Sequence, residues 1–244
     1  MDKVIIGTHP YLWLKFCNSL KGLPLTIPAN QLVVLLHGIA RSSLSMRPIE
    51  KALLKQGYEV LNIQYPSRTN RIQVLAEGVH DQLRTLPLFD QKEVHFVTHS
   101  MGGLVVRALL AKHRLANVNK VVMLGPPNLG SEVADFVISI PLIKAFYGPA
   151  LLEMTTEYMQ SNPLAELPSG CQVGIIAGNL SIDPFCYFML PKGHDGKVTI
   201  ARTKLTQMSD HIVLPVSHSL MMYNKRVIEQ ISYFLAEGRF LRST

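Results

Sequence analysis

The chain of 244 residues is 48% hydrophobic with a formal net charge of +7, a composition that excludes disorder and suffices for one large α/β domain with its own core. Its basic residues, including Arg41, Arg47, Lys51, Lys55, Arg68, Arg71, Lys92 and Arg114, form no run; this argues against nucleic-acid binding and leaves only a mild attraction to anionic membrane surfaces. The three cysteines, Cys17, Cys171 and Cys186, imply no disulfide framework, with a single Cys171–Cys186 bridge left open.

The N-terminal stretch MDKVIIGTHPYLWLKF lacks a positive n-region, a long apolar core and a small-residue cleavage site, so the expected location is cytoplasmic. Its Tyr11, Leu12, Trp13, Leu14 and Phe16 are expected to pack on the domain. QLVVLLHGI then gives a buried strand, Leu32 to Leu36, running into His37-Gly38. Helical periodicity follows from about Ser45 to Lys55, Gly57 stops it, and YEVLNIQYP is the next strand. Arg71 to Leu86 reads as a helix. VHFVTHSMGGLVVRALL, from Val94 to Leu110, is strand, tight turn and helix in succession. KVVMLGPPNLGS is another strand ending in a Pro/Gly loop, CQVGIIAGN a further one, and Asn224 to Leu235 a closing helix. Apolar strands alternating with helices predict one mostly parallel sheet covered on both faces, a single domain over 1–244. No internal repeat or linker marks a second domain.

One stretch breaks the alternation. SEVADFVISIPLIKAFYGPALLEM, from Ser131 to Met154, is apolar but interrupted by Pro141, Lys144 and Pro149, a poor transmembrane span. It reads either as a pair of core helices or as a cap, part of an insertion over about 131–168. As a cap it would turn an apolar face to an acyl chain, with Phe136, Leu142 and Phe146 as contacts.

In a parallel sheet, sites form at the carboxyl ends of the strands, which here carry His37-Gly38, Tyr65-Pro66, His99-Ser100 and Gly125-Pro126. The strand–turn–helix around Ser100 has the form of a nucleophile elbow, with Gly102 and Gly103 removing side chains where the helix starts against a strand. Thr98 occupies the place of the first glycine of G-x-S-x-G. One oxyanion donor would be the N–H of Met101, after the nucleophile. The other would be Ile39, where Gly38 lets the backbone approach the substrate and His37 shapes the loop.

A nucleophilic serine needs a base and the base a carboxylate. Of nine histidines, His218 in LPVSHSLMM lies just before the final helix, downstream of serine and acids, the order expected on such a fold. His194 and His211, read as loop residues, are weaker candidates, and His99 adjoins Ser100 without easily facing it. For the acid, Asp195 in GHDGKVT is favoured over Asp210 in SDHIVLP and Asp183 in SIDP.

LLHGI, THSMGG, GPPNLGS, HDGKV and VSH together resemble the α/β-hydrolase lipases and esterases, with a likeness to small bacterial triacylglycerol lipases and lipase-like deacylases that spans roughly Leu32 to Phe234. The resemblance implies an α/β-hydrolase fold and a triad of Ser100, Asp195 and His218, with Ile39 and Met101 as oxyanion donors. The expected activity is hydrolysis of carboxylic esters, of lipid or acyl type, through an acyl-enzyme with no metal or organic cofactor. The partner is then a small-molecule ester, with no nucleic acid and no stable membrane insertion. A thioesterase or acyltransferase would use the same residues. A non-catalytic binding module is the reading from another class, opposed by the complete Ser/Asp/His set.

Overall fold

The computed structural model describes residues 30–165 and 167–242; the aromatic N-terminal segment and Cys17 lie outside the described residues. Six strands form one parallel sheet: β1 (Gln31–Leu36), β2 (Glu59–Ile63), β3 (Glu93–His99), β4 (Val118–Leu124), β5 (Gln172–Gly178) and β6 (Asp210–Leu214), in the order β2-β1-β3-β4-β5-β6. After β1 the chain pairs β2 on one side and then returns to build β3 through β6 on the other. The sheet therefore reverses its direction of growth between β1 and β3, and the crevice of such a sheet opens beyond the strand ends at that point.

Alternation along β1 shows why its run is continuously apolar. Leu32, Val34 and Leu36 belong to one buried cluster and Val33 and Leu35 to the other, on the opposite face. Helices α2 (Ile72–Arg84) and α3 (Met101–His113) cover the first face with Leu75, Val79, Leu104 and Leu109. Helices α1 (Arg47–Lys55) and the closing helix Lys225–Glu237 cover the second with Ile49, Leu53, Val227, Ile231 and Phe234. Each such side chain, once fully buried, stabilises the fold by about 1.5–3 kcal/mol. The closing helix starts where the Asn224 side chain accepts the Arg226 and Val227 N–H groups and stops at Gly238, φ +71.

Helix α3 is buried from Met101 through Leu110, so it is a central helix rather than one with a single apolar face. Its Arg107 is buried, and the guanidinium donates to the carbonyls of Asn128 and Leu164. Burial lowers its pKa to about 10.

Between β4 and β5 lie four short helices, α4 (Glu132–Val137), α5 (Pro141–Tyr147), α6 (Ala150–Glu153) and α7 (Thr156–Ser161). They are not the pair of core helices of the first sequence reading, because α5 buries none of its residues. Asp135 ties α4 to α7 through the Thr156 N–H and hydroxyl, at 2.7 and 2.8 Å. Short helices α8 (Pro184–Met189) and α9 (Ile200–Thr203) follow β5, and the closing helix is α10.

His211, a loop residue by sequence, lies on β6. β6 is a short edge strand whose Asp210, His211 and Ile212 are half-buried, so it lacks the apolar run that marks the central strands. Cys171 and Cys186 are free thiols. Among the described residues, no helix is long and apolar enough to cross a membrane.

Candidate active site

Ser100 sits between the last residue of β3 and the first of α3, with φ +54 and ψ −124, a conformation that a non-glycine residue adopts only under constraint from its surroundings. The constraint is visible on both sides. The Ser100 N–H donates to the Leu124 carbonyl of the neighbouring strand at 2.9 Å, and its carbonyl accepts the Gly103 N–H at 2.9 Å. A Cβ on Gly102 would lie 2.6 Å from the Leu36 carbonyl oxygen, so α3 can start this close to β1 only with glycine there. Gly103 is kept bare by Pro126, whose Cβ would lie 3.0 Å from a Gly103 Cβ, while the Thr98 hydroxyl would meet it only at an ordinary 3.5 Å. That hydroxyl is buried without a hydrogen-bond partner among the described residues.

The loop after β1 is built by His37 and Tyr65. The two rings stack at 4.2 Å, the Tyr65 hydroxyl donates to the His37 carbonyl, and His37 Nδ1 donates to the Gly38 carbonyl at 2.9 Å. Burial lowers the His37 pKa, partly offset by that bond to Gly38, and the ring shapes the loop through its stack on Tyr65. A Gly38 Cβ would come 3.2 Å from Ser100 Cβ and 2.9 Å from His99 Nδ1; the bare glycine lets the loop meet the turn at Ser100. Among the described residues, neither the Ile39 nor the Met101 N–H has an acceptor. Two unspent donors next to one hydroxyl form the arrangement that can receive an oxyanion.

Asp195 and His218 are brought together. His218 Nδ1 and Asp195 Oδ2 are 2.8 Å apart, and the His218 N–H donates to the Asp195 carbonyl at 2.9 Å. The other carboxylate oxygen accepts the Lys197 and Val198 N–H groups, at 2.9 and 2.8 Å. The Asp195 side chain is fully buried and that of His218 nearly so. The imidazole packs against Gly125, the residue after the Leu124 to which Ser100 is bonded: a Gly125 Cβ would lie 3.0 Å from His218 Nδ1 and 2.9 Å from Asp195 Oδ2. His99 holds the same loop, its Nε2 donating to the His218 carbonyl at 3.0 Å. Burial first, and then the neighbouring His218, keep the His99 pKa well below its usual value. The Ser100 hydroxyl itself has no hydrogen-bond partner among the described residues.

The alternative acids and bases lie elsewhere. Asp210, at the far end of β6 from the site, binds Arg242 and the Phe240 N–H. Asp183 binds the Cys186 N–H and Lys197. His211 is on β6 rather than in a loop and meets the Thr203 hydroxyl at 3.1 Å, while His194 accepts the Gly196 N–H at 3.1 Å.

A narrow cavity of about 110 Å³ opens at Ser100, lined by Ile39 and by Val133, Ala134, Val137, Tyr147, Leu151 and Met154 of the 131–154 stretch. Phe136, Leu142 and Phe146, the contacts expected from the sequence, are not in its wall; they are 43%, 82% and 55% exposed. The stretch does face Ser100, but with its smaller side chains: on α4 the neighbours Val133 and Val137, a turn apart, point inward and Phe136 outward. Phe146 instead lies under the Arg68 guanidinium, 4.8 Å away.

Two contributors, Gly178 and Lys197, are absent from the sequence expectations, and Gly125 figures there only as a strand end. Gly125, at φ +53, and Gly178, where a Cβ would stand 2.7 Å from Asp195 Cβ, give Asp195 and His218 their room; the signal was a glycine closing each of two apolar strands. Lys197 lines the Ser100 cavity and carried no signal. Among the described residues no cluster of side chains suited to a metal is found.

A sequence model described as the alpha/beta hydrolase family matches residues 33–173, more than half of the chain. The chain belongs to the alpha/beta hydrolase family. Among solved structures of this fold, it is similar to the mature form of the lipase BlEst2 of Bacillus licheniformis, at 22% identity and TM-score 0.71, covering 86% of this chain and 92% of that one. It is also similar to the metagenomic carboxyl esterase MGS0156, at 18% identity and TM-score 0.66, covering 79% and 66%. A third likeness is to the phospholipase PlaB of Legionella pneumophila, at 17% identity and TM-score 0.57; it covers 71% of this chain but only 45% of that one. At such identities these likenesses concern the fold of this alpha/beta hydrolase. No curated protein matches the chain.

Proposed function

We propose that the protein is a serine hydrolase of carboxylic esters, acting on lipid or acyl esters through an acyl-enzyme. The observation that carries this reading is the buried 2.8 Å pair of Asp195 and His218 beside a serine held at a positive φ with a free hydroxyl. In the first step Ser100 Oγ attacks the carbonyl carbon while His218 Nε2 takes the hydroxyl proton; Asp195 fixes the tautomer and stabilises the imidazolium. The negative oxygen of the tetrahedral intermediate lies against the Ile39 and Met101 N–H groups. Collapse breaks the ester C–O bond as His218 returns the proton to the leaving alcohol. Water repeats the sequence on the acyl-enzyme, freeing the acid and Ser100.

The 131–154 stretch acts as the cap, with the apolar cavity at Ser100 taking the start of the acyl chain. The lipase, esterase and phospholipase of like fold are in keeping with such a substrate. Hydrolysis of p-nitrophenyl butyrate tests the reading. The unmodified protein should turn it over, and Ser100→Ala or His218→Ala should each lower kcat by about 10⁴–10⁶, with the double variant little worse. Unchanged turnover in folded Ser100→Ala would refute it.

A further inference from the structure

A second cavity, of about 680 Å³, begins where the oxyanion loop ends. Arg41, Ser42 and Ser45 from the loop after β1 form one wall, Ser67 and Arg68 from the loop after β2 another, and Tyr223 a third. No aspartate or glutamate lines it. Neither Arg41 nor Arg68 is ion-paired with a carboxylate among the described residues, in contrast to Arg84, Arg202 and Arg242 but in common with several surface arginines. Ser67, 4% exposed, is a buried polar residue of the lining. The Ser45 hydroxyl already donates to the Ser42 carbonyl, so the wall is defined by its two like charges and the absence of an acid, a combination suited to an oxyanion.

Its position relates it to the reaction. Ile39 lines the Ser100 cavity and the next residue, Ala40, lines this one. Tyr223 closes the turn His218–Tyr223 that begins at the base. Arg68 links the two spaces, since its carbonyl packs against Gly148 and its guanidinium covers Phe146, while Tyr147 between them lines the Ser100 cavity. The charge of Arg41 is among the influences felt by His99, the neighbour of Ser100, after those of burial and His218. An acyl chain held in the apolar cavity would leave the alcohol to extend from Ser100 along the loop that carries Ile39 in one wall and Ala40 and Arg41 in the other.

We propose that this cavity receives a phosphate carried by the alcohol, so that the substrate is an acyl ester of a phosphorylated alcohol. Hydrolysis adds water across the ester bond and releases a carboxylic acid and the phosphorylated alcohol. A carboxylate's two oxygens would be satisfied by one guanidinium; two guanidiniums from opposing loops together with serine hydroxyls fit the oxygens of a phosphate. The inference rests on the Ser100 reading and narrows it.

The experiment compares kcat/KM for three esters with the same butyryl group: monobutyrylglycerol, its 3-phosphate, and the corresponding phosphocholine diester. The phosphate-bearing esters should be preferred by at least about tenfold, the scale of one charge-assisted hydrogen bond. Arg41→Gln and Arg68→Gln, both at exposed positions, should each lower the ratio of phosphate ester to neutral ester by about the same factor. Inorganic phosphate should inhibit p-nitrophenyl butyrate hydrolysis competitively, and much less so in the double variant. Preference for the monoester alone identifies a terminal phosphate, and equal preference for both a phosphodiester headgroup; either supports the proposal. Equal rates on all three esters by a protein that hydrolyses p-nitrophenyl butyrate would overturn it, as would arginine variants whose ratio is unchanged. Failure on every ester, p-nitrophenyl butyrate included, would count against the Ser100 reading instead.

Discussion

Replacing Asp195 by asparagine changes one atom and should disable the base through its tautomer. In the unmodified protein Asp195 Oδ1 accepts two backbone N–H groups, from Lys197 and Val198, and Oδ2 faces His218 Nδ1 at 2.8 Å. An amide has only one accepting end. Turning it toward the two fixed backbone donors saves two hydrogen bonds, so the NH₂ must face His218 and Nδ1 must become an acceptor. The proton then resides on Nε2, which can no longer take the Ser100 proton. The expected loss is about 10³–10⁴ in kcat, or roughly 4–5.5 kcal/mol of barrier, less than the loss from removing Ser100. Stability should fall only modestly, since two of the three bonds survive with a neutral acceptor. Asp195→Ala should behave differently: it strands the buried donors of Val198 and His218, each costing about 1–3 kcal/mol, and the part-buried Lys197 N–H, and so should lower Tm well below that of the asparagine variant. Steady-state hydrolysis of p-nitrophenyl butyrate together with thermal melts separates the two effects. A folded Asp195→Asn protein within tenfold of normal kcat would refute the assignment of the acid, and greater damage from Asp210→Asn would do the same.

Two further outcomes are expected. Lengthening the acyl group should raise kcat/KM by at most about fourfold per buried methylene, from roughly 0.8 kcal/mol each, until the narrow cavity is filled. Val137→Phe should cut that rise short; a profile flat from acetyl to butyryl in the unmodified protein would refute the acyl cavity. His95 is buried in β3, with its pKa lowered by burial from 6.5 to about 4. Below pH 6.5 the unfolded chain binds a proton that the native ring refuses, so stability is intact above that pH and lost as pH falls toward about 4. The loss reaches about 3 kcal/mol for this group. His95→Phe, which keeps a ring beside Tyr58, should shrink the fall in Tm between pH 7 and pH 4.5; an equal fall in both proteins would show that other groups govern acid stability.

Much of the fold was legible because its central strands are buried on both faces. β1, β3, β4 and β5 are short apolar runs that end in glycine or histidine, and the elbow carries its two glycines next to the serine. β6 was not legible: an edge strand buries little, and its Asp210 and His211 gave it the look of a polar loop. The faces of the 131–154 stretch that meet the Ser100 cavity were not legible because α4, α5 and α6 are too short for helical periodicity to fix a phase. The bulkiest apolar residues, Phe136, Leu142 and Phe146, then drew attention away from Val133 and Val137. Arg41 and Arg68 appear in the sequence as scattered charges, and only the pairing of β1 with β2 brings their loops to one cavity. Chain order pointed to His218 with an upstream acid but left Asp183, Asp195 and Asp210 open, and the two backbone donors that hold the Asp195 carboxylate belong to a turn that only coordinates reveal.

The most direct test of the central claim is covalent labelling with a fluorophosphonate probe, read by intact mass and peptide mapping. The account predicts a single adduct on the Ser100 hydroxyl, absent from Ser100→Ala and strongly slowed in His218→Ala. A folded protein that takes no label, or one that is labelled equally at another residue when Ser100 is alanine, would contradict it.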